Sequence, residues 1–291
     1  MPPKVNISQP LSPNSRSEGR HNIVTGQVNF IRHGSGDPVI LIHGLAASYF
    51  DWDYLLPELA ATGFDACALD LLGHGDSYKP QQVVDYNVHN VYLHLRGWID
   101  TLFPDEPVFL IGHSLGGYLS LIHALQNPDN VKGLVLVNPY FSIQQMSTFL
   151  QIVFRSQLLN TALIERTPYW LFRIIIDFSS LEQSYKKAMR HSLPEQVRIQ
   201  TALDYKRAAP GIYNIPRTMI ELGEQLHEMA IPTLMICGTQ DRTLDPKSFS
   251  NLAKLLPNVT YVPIPNCAHV PHQSDAAIFN PLVLNFLNNL R

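Results

Sequence analysis

Residues 108–120 read VFLIGHSLGGYLS, and this stretch decides the fold of the chain. An apolar run typical of a β-strand meets a Gly-x-Ser-x-Gly motif and continues at once into a helical pattern. Such a passage holds its central residue, Ser114, in a strained backbone conformation that exposes the hydroxyl group. Gly112 and Gly116 let neighbouring backbone approach where a Cβ would clash. The stretch therefore predicts a nucleophilic Ser114 at the start of a helix, with the backbone N–H of Leu115 facing the same space as an oxyanion donor.

Strands and helices alternate on both sides of this stretch. Apolar runs predict further buried strands, and amphipathic segments between them predict covering helices. The alternation indicates an α/β fold, a mostly parallel central sheet with helices on both faces. The predicted strands lie at residues 21–24, 27–32, 38–43, 66–70, 131–138, 232–238 and 259–264.

The alternation of strands and helices stops between residues 139 and 230, where we expect an inserted helical cap. The core would then consist of residues 20–138 and 231–291. Helical patterns cover residues 145–159, 168–178, 180–190, 194–208 and 218–228. A cap above Ser114 is expected to help line an apolar substrate chamber. The candidate pocket residues are Tyr140, Phe141, Phe149, Trp170 and Val270.

Composition limits the classes of partner and compartment. The 291 residues, 45% of them hydrophobic, are enough for a large core, and the formal net charge of −3 offers no basic surface for nucleic acid. Residues 1–19, rich in Pro, Ser and Asn, predict a flexible leader rather than a signal peptide. No apolar run is long enough to cross a bilayer, so we expect a soluble protein. The three cysteines lie in or beside predicted strands, and we expect them to be reduced thiols in a cytoplasmic protein. The oligomeric state is left open.

Two residues after the last predicted strands complete a candidate catalytic triad with Ser114. A serine hydroxyl needs a base to take its proton, and that base needs an acid to orient its ring. Asp241 and His269 each follow a strand, and the carboxyl ends of parallel strands meet at one edge of a sheet. Asp245 and His272 are the alternatives for these two roles.

The pair His43-Gly44 follows a buried strand and predicts the second part of an oxyanion hole. Glycine lets the loop bend so that the backbone N–H of Leu45 points above the sheet. The alternative is an ordinary turn with a buried histidine. A second glycine-rich turn, residues 73–77, carries His74 and Asp76, which we interpret as a loop held by side-chain hydrogen bonds.

Together these motifs resemble the α/β-hydrolase superfamily, in particular its capped serine hydrolases of the esterase and lipase type. The match covers residues 27–138 and 231–291. The resemblance implies Ser114 as nucleophile, His269 as general base and then acid, and Asp241 as the orienting acid. It also implies Leu45 and Leu115 as the oxyanion donors. The motifs that carry it are His43-Gly44, residues 73–77, residues 112–117, residues 238–241 and Ala268-His269.

The leading interpretation is a serine hydrolase that cleaves a small, moderately apolar ester or lactone. No metal-ligand or dinucleotide motif is visible, so neither a cofactor nor a metal is expected. Two alternatives use the same fold: carbon–carbon hydrolysis or perhydrolysis with the same triad, and a hydrolase-like receptor for a small ligand. A serine at the centre of the strand–turn–helix motif argues against the epoxide hydrolases and dehalogenases of the superfamily, because those enzymes attack with a carboxylate.

Overall fold

The computed structural model describes residues 16–146, 151, 165–183 and 189–291. Eight strands form the main sheet, in the spatial order β1-β2-β4-β3-β5-β6-β9-β10. Two further short strands, β7 and β8, pair with each other. The strands are β1 (Arg16–Ile23), β2 (Gly26–Gly34), β3 (Asp37–Ile42), β4 (Phe64–Leu69), β5 (Val108–His113), β6 (Val131–Val137), β7 (Leu181–Gln183), β8 (Met189–His191), β9 (Thr233–Gly238) and β10 (Val259–Ile264).

Helices follow the strands and cover the sheet. The α-helices of the described residues are α1 (Leu56–Ala61), α2 (Val88–Leu102), α3 (Leu115–Gln126), α4 (Tyr169–Ser179), α5 (Glu195–Arg207), α6 (Pro246–Leu255), α7 (Pro271–Ser274) and α8 (Ala276–Asn288). Shorter 3₁₀ turns lie at Tyr49–Trp52, Val83–Asp85, Pro128–Asn130, Ile143–Gln145, Pro210–Thr218 and Gly223–Glu228. None of these helices combines the length and the apolar character needed to cross a bilayer.

Six neighbouring strands, from β4 across to β10, run parallel, which confirms the predicted α/β fold. Within the eight-stranded sheet, the antiparallel pairs are β1 with β2 and β2 with β4. Successive side chains of a strand point to opposite faces, and β3 is buried on both. Ile40 and Ile42 belong to the core cluster that contains Trp98 of α2, whereas Val39 and Leu41 belong to the one that contains Phe279 of α8. The apolar run at residues 38–43 is continuous because helices cover both faces.

The first expected boundary needs a correction. The flexible leader was expected to extend to Gly19, but β1 begins at Arg16 and pairs with β2 in the register Arg16↔His33. This segment alternates between exposed and half-buried residues. Backbone pairing along the sheet edge therefore orders it, and its polar composition gave no sign of that pairing.

The segment between β6 and β9 agrees only in part with the expected helices. Helix α4 and helix α5 match the patterns at residues 168–178 and 194–208, and Gly223–Glu228 forms a 3₁₀ turn within 218–228. The helix expected at residues 180–190 is wrong for the described residues, because β7 and β8 pair there in antiparallel fashion. The backbone N–H of Ser192 donates to the Ser180 carbonyl (2.8 Å), which closes this pair of strands instead of extending α4.

Most of the pattern at 145–159 lies outside the described residues. No described residue between β6 and β9 joins the eight-stranded sheet. The division into core and cap stays a prediction.

Candidate active site

Ser114 occupies the turn between β5 and α3. Its φ of +49° and ψ of −112° are the strained values expected of a nucleophile elbow. Two glycines make the turn possible. A Cβ on Gly112 would lie 2.3 Å from the Gly116 carbonyl oxygen, and a Cβ on Gly116 would lie 2.0 Å from the carbonyl oxygen of Ile42. The Ser114 N–H also donates to the carbonyl of Val137 in β6 (3.0 Å), which fixes the turn to the sheet.

Asp241 and His269 are joined directly. Asp241 follows the end of β9, His269 follows β10, and His269 Nδ1 lies 2.6 Å from Asp241 Oδ2. The other carboxylate oxygen of Asp241 accepts hydrogen bonds from the backbone N–H groups of Thr243 (2.7 Å) and Leu244 (3.0 Å). The two predicted partners of Ser114 therefore form one hydrogen-bonded pair at the carboxyl edge of the sheet.

Asn138, which sequence reasoning did not single out, holds this pair in place. It directly follows β6, has a φ of +40° and is fully buried. Its Nδ2 donates to Asp241 Oδ2 (2.7 Å), and its Oδ1 accepts from the Gly238 N–H (3.2 Å). The available signal was its position, a polar residue immediately after a predicted buried strand at the edge that also carries Ser114.

The surroundings of Asp241 favour its ionised form. Burial alone would raise the pKa of this carboxyl group, but His269, the Leu244 N–H and Asn138 together lower the pKa below its ordinary value. An ionised Asp241 can only accept a hydrogen bond, so Nδ1 of His269 is the donor. In the neutral ring, Nε2 is then left as a proton acceptor.

His113 links the elbow to the His269 loop. Its Nε2 lies 3.1 Å from the backbone oxygen of His269, and the centroids of the two rings are 4.9 Å apart. Since His113 precedes Ser114, the elbow and the His269 loop are neighbours. Within the described part of the chain, no hydrogen bond joins Ser114 to His269. Contacts of this kind are commonly long in proteins without a bound substrate.

The loop after β3 runs beside Ser114. Nε2 of His43 accepts a hydrogen bond from the Leu71 N–H (2.9 Å), so Nδ1 carries the proton and donates to the Gly44 carbonyl (2.7 Å). In a trans peptide the N–H of Leu45 points away from that carbonyl. A Cβ on Gly44 would lie 3.3 Å from Ser114 Cβ, which shows how closely the loop passes. Leu115 begins α3, so its N–H has no partner within the helix.

The candidate pocket residues lie in different surroundings. Tyr140 is buried, and its N–H donates to the Ser114 carbonyl (3.0 Å). Phe141 and Val270 are half-buried, and Phe149 lies outside the described residues. Trp170 is 61% exposed, and its place in a substrate pocket stays a prediction. Helix α4 turns Phe172 and Ile176 towards α5 and therefore leaves Trp170 on its outer side.

The alternative acid and base have other surroundings. Asp245 caps α6, where its side chain accepts a hydrogen bond from the Lys247 N–H (3.0 Å). His272 is buried beside Asp51, with 3.9 Å between its Nε2 and the carboxylate. In the turn at residues 73–77, Asp76 is largely exposed. The Asp76 N–H donates to Asp70, as expected for a loop held by side-chain hydrogen bonds.

Comparisons with known proteins give a family and a range of activities. The model of the α/β-hydrolase fold family matches residues 37–276. A bifunctional epoxide hydrolase 2 of Rattus norvegicus is 26% identical over 98% of this chain and 58% of its own length. An uncharacterised protein of Mycobacterium tuberculosis is 29% identical over 88% of this chain and 76% of its own. The chain spans little more than half the length of the two bifunctional epoxide hydrolases that it matches over most of its own length.

Solved structures agree on the fold alone. A thermophilic esterase from Thermogutta terrifontis superposes with a TM-score of 0.77 at 20% identity and covers 94% of this chain and 99% of its own. An epoxide hydrolase from Vigna radiata does so with a TM-score of 0.74 at 17% identity, over 94% and 98%. Because proteins of both activities share the fold, the fold does not select between them. The matched family model, together with the parallel sheet and the elbow at Ser114, shows that this chain belongs to the α/β-hydrolase fold family.

Proposed function

We propose that this protein is a serine hydrolase that cleaves the carboxylic ester or lactone of a small, moderately apolar molecule through an acyl-enzyme. One observation carries the proposal. Asp241 and His269 are hydrogen-bonded at 2.6 Å at the sheet edge that also carries the strained Ser114. This is the arrangement by which a base and its orienting acid activate a serine hydroxyl.

In the proposed mechanism, Ser114 attacks the ester carbonyl while Nε2 of His269 takes its proton. The N–H groups of Leu45 and Leu115 donate to the oxyanion that forms. His269 then protonates the leaving alcohol, and a water molecule repeats these steps on the acyl-enzyme. Asp241 stays ionised and keeps the His269 ring in the required tautomer and orientation.

The serine also argues for esters over the epoxides named in the rat relative. If Ser114 opened an epoxide, its Oγ would form an ether with the substrate carbon. An ether has no carbonyl group for water to attack, so the same triad could not release the product. An acyl-enzyme has such a carbonyl, and the oxyanion donors can act on it a second time.

A panel of p-nitrophenyl esters from acetate to palmitate tests the proposal. We expect turnover in the wild type and, in Ser114→Ala, a loss on the order of a millionfold. Asp241→Asn should lose about ten-thousandfold because its amide favours the wrong tautomer of His269. The matched control is Ser250→Ala, since that hydroxyl only bonds to the Lys247 carbonyl within α6. Equal turnover in Ser114→Ala and in the control would refute the assignment.

The same panel gives the substrate range. A preference for short acyl chains would indicate a shallow chamber, and a preference for long chains a deep one. Turnover of epoxides that persists in Ser114→Ala, without ester turnover, would exclude the proposed function.

A further inference from the structure

We propose that Asp51, His113 and His272 form a binding site for a divalent transition-metal ion such as Zn²⁺. The three side chains come from separate elements: the 3₁₀ turn Tyr49–Trp52, the end of β5 and helix α7. They are distinct from the proposed triad, although His113 contacts the backbone of His269. Their exposed fractions are 8%, 4% and 1%.

The ligand atoms are already close together. One atom from each side chain can be chosen so that all three lie within 4.8 Å of one another. His113 Nδ1 is 3.2 Å, and His272 Nε2 is 3.9 Å, from the same carboxylate oxygen, Asp51 Oδ2. In a tetrahedral zinc site with bonds of about 2.0–2.1 Å, ligand atoms lie about 3.3 Å apart. Side-chain movements on the order of 1 Å would therefore be enough to close the site around an ion.

The hydrogen bond of His113 prepares it as a ligand. Its Nε2 faces the backbone oxygen of His269 at 3.1 Å, and a carbonyl can only accept, so Nε2 is the donor. In the neutral ring, Nδ1 of His113 then carries a lone pair and no proton. This lone pair faces a lone pair of the Asp51 carboxylate, and the two repel each other. A cation between them removes this conflict. Metal-bound histidines commonly donate their second ring N–H to a carbonyl in this way.

His272 is the second, independent observation. Although only 1% of the residue is exposed, neither of its ring nitrogens has a hydrogen-bond partner among the described residues. Buried polar groups are nearly always partnered, so an unpartnered imidazole needs an explanation. Trp52 and Phe279 pack against the ring with centroid distances of 4.7 and 6.0 Å, and Nε2 is 3.9 Å from Asp51. An ion on Asp51 would give this nitrogen its partner.

A cleft adjoins the Asp51 side of the site. Asp51 and Gln273 line this cavity of about 420 Å³ together with Asp53, Asp204 and Arg16. Gln273 Nε2 donates to Asp51 Oδ1 (3.3 Å), and bonds of this type orient a ligating carboxylate. Two imidazoles and one carboxylate suit Zn²⁺, Co²⁺, Ni²⁺ or Cu²⁺, whereas Mg²⁺ and Ca²⁺ prefer oxygen ligands alone.

Metal titration of the chelator-treated full-length protein tests the proposal. We expect one Zn²⁺ per chain by calorimetry, and Co²⁺ in the same site by its visible absorption. His272→Gln and Asp51→Asn should each weaken binding by at least about 100-fold, because loss of a mere supporting hydrogen bond costs 10–100-fold. The matched control is His123→Gln. This buried histidine of α3 also has a ring nitrogen without a partner, and binding should be unchanged.

A second readout needs no change to the ligands. Because the Trp52 ring packs on His272, Cu²⁺ should quench the fluorescence of Trp52, and Trp52→Phe should lose that quenching while it still binds the ion. Absence of one-to-one binding would overturn the site. So would equal binding in the wild type and both ligand variants, or quenching that Trp52→Phe leaves unchanged. None of these measurements uses turnover, so they are independent of the proposed esterase activity.

Discussion

Asn138 is the residue that fixes the proposed acid relative to the sheet. Its amide donates to the oxygen of Asp241 that also accepts from His269, while its own oxygen is held by the Gly238 N–H. A hydrogen bond to a buried charge contributes about 1.5–3 kcal/mol. Asn138 thus acts on the proposed chemistry through Asp241 and is a positioning residue.

Replacement of Asn138 by glycine should lower kcat by about 10- to 100-fold, which corresponds to the loss of one charge-assisted hydrogen bond. Glycine keeps the φ of +40° accessible, so the change removes the amide with little backbone strain. We expect kcat to fall more than KM rises, because the bound substrate does not contact Asn138. Steady-state kinetics on the preferred ester would measure both constants.

Asn266→Gly is the matched control for this variant. Asn266 also has a positive φ, +59°, but it is exposed and bonds only at the surface. Its kcat should stay within about twofold of the wild type, since surface substitutions are usually close to neutral. An equal loss of kcat in both variants would show that the effect is not specific to the Asp241 contact.

The sequence was informative at the residue scale where function depends on local pattern. Ser114 was predicted because its strained turn needs Gly112 and Gly116 at fixed spacing, and the structure has that turn. Asn138 and Asp51 were missed because their partners are distant in the chain. Asn138 is 103 residues from Asp241, and Asp51 is 62 residues from His113. No periodicity records such contacts.

At the scale of elements, the start of α6 gives two carboxylates that are close in sequence, Asp241 and Asp245, different roles. Asp241 faces His269, whereas Asp245 caps the helix that begins at Pro246. A side-chain cap satisfies one of the N–H groups that a helix leaves without an internal partner. The two residues therefore have different tasks, stabilisation of a helix and orientation of a base.

Asp245→Ala should lower the free energy of unfolding by about 1 kcal/mol and leave kcat unchanged. Urea denaturation followed by circular dichroism, together with an ester assay, would measure the two effects. Asp241→Asn should show the opposite pattern, with most of the change in kcat. If Asp245→Ala lost turnover as severely as Asp241→Asn, the choice between the two acids would have to be reversed.

Elements were predictable where burial imposes a period. The continuous apolar run of β3 follows from its two covered faces, and in α4 the buried Phe172 and Ile176 repeat with helical spacing. The pair formed by β7 and β8 has strands of only three residues. Its register depends on pairing between segments rather than on a repeat within either one. For this reason a helix was expected at residues 180–190, where the structure has the strands β7 and β8.

At the scale of the whole molecule, Asp204 joins α5 to the loop that follows β3. Ser48 donates to its Oδ2 (2.9 Å) and Gln200 to its Oδ1 (2.8 Å), and the carboxyl group is almost fully buried. Burial raises the pKa of Asp204 to about 7, and the nearby negative charges of Asp51 and Asp70 act in the same direction. The folded protein thus keeps a proton here that the unfolded chain loses near pH 4.

The difference in the pKa of Asp204 between the folded and the unfolded state predicts that its contribution to stability falls as the pH rises. Below about pH 4 both states carry the proton, and between pH 4 and 7 only the folded state does. The contribution of Asp204 to the free energy of unfolding should therefore decline over this interval, by up to roughly 4 kcal/mol for a shift of about three units. Asp204→Asn should remove that decline. Urea midpoints at pH 5 and pH 8 would measure it for both proteins.

Asp129→Asn, a change at an exposed position before β6, is the control for the pH measurement. It should show the same difference between pH 5 and pH 8 as the wild type. If Asp204→Asn lost as much stability between pH 5 and pH 8 as the wild type does, the assigned protonation of Asp204 would be contradicted.

The arrangement of the whole molecule was predictable for the sheet and not for the segment between β6 and β9. Parallel strands with helical crossovers permit few arrangements, so alternation alone indicated a mostly parallel sheet with helices on both faces. No such rule applies to the segment between β6 and β9, and the side on which Trp170 lies depends on how Phe172 and Ile176 meet α5. That packing is a tertiary choice that a single sequence does not reveal.

Strands β6 and β9 are neighbours in the sheet, with Leu134 beside Thr233, although a long stretch of chain separates them. The entropy lost when such a loop closes grows only with the logarithm of its length, by about 0.6 kcal/mol for each doubling. A change in the length of the segment between β6 and β9 would therefore cost the sheet little free energy. Because the segment leaves and re-enters the sheet at adjacent strands, β6 and β9 can keep their pairing while its length changes.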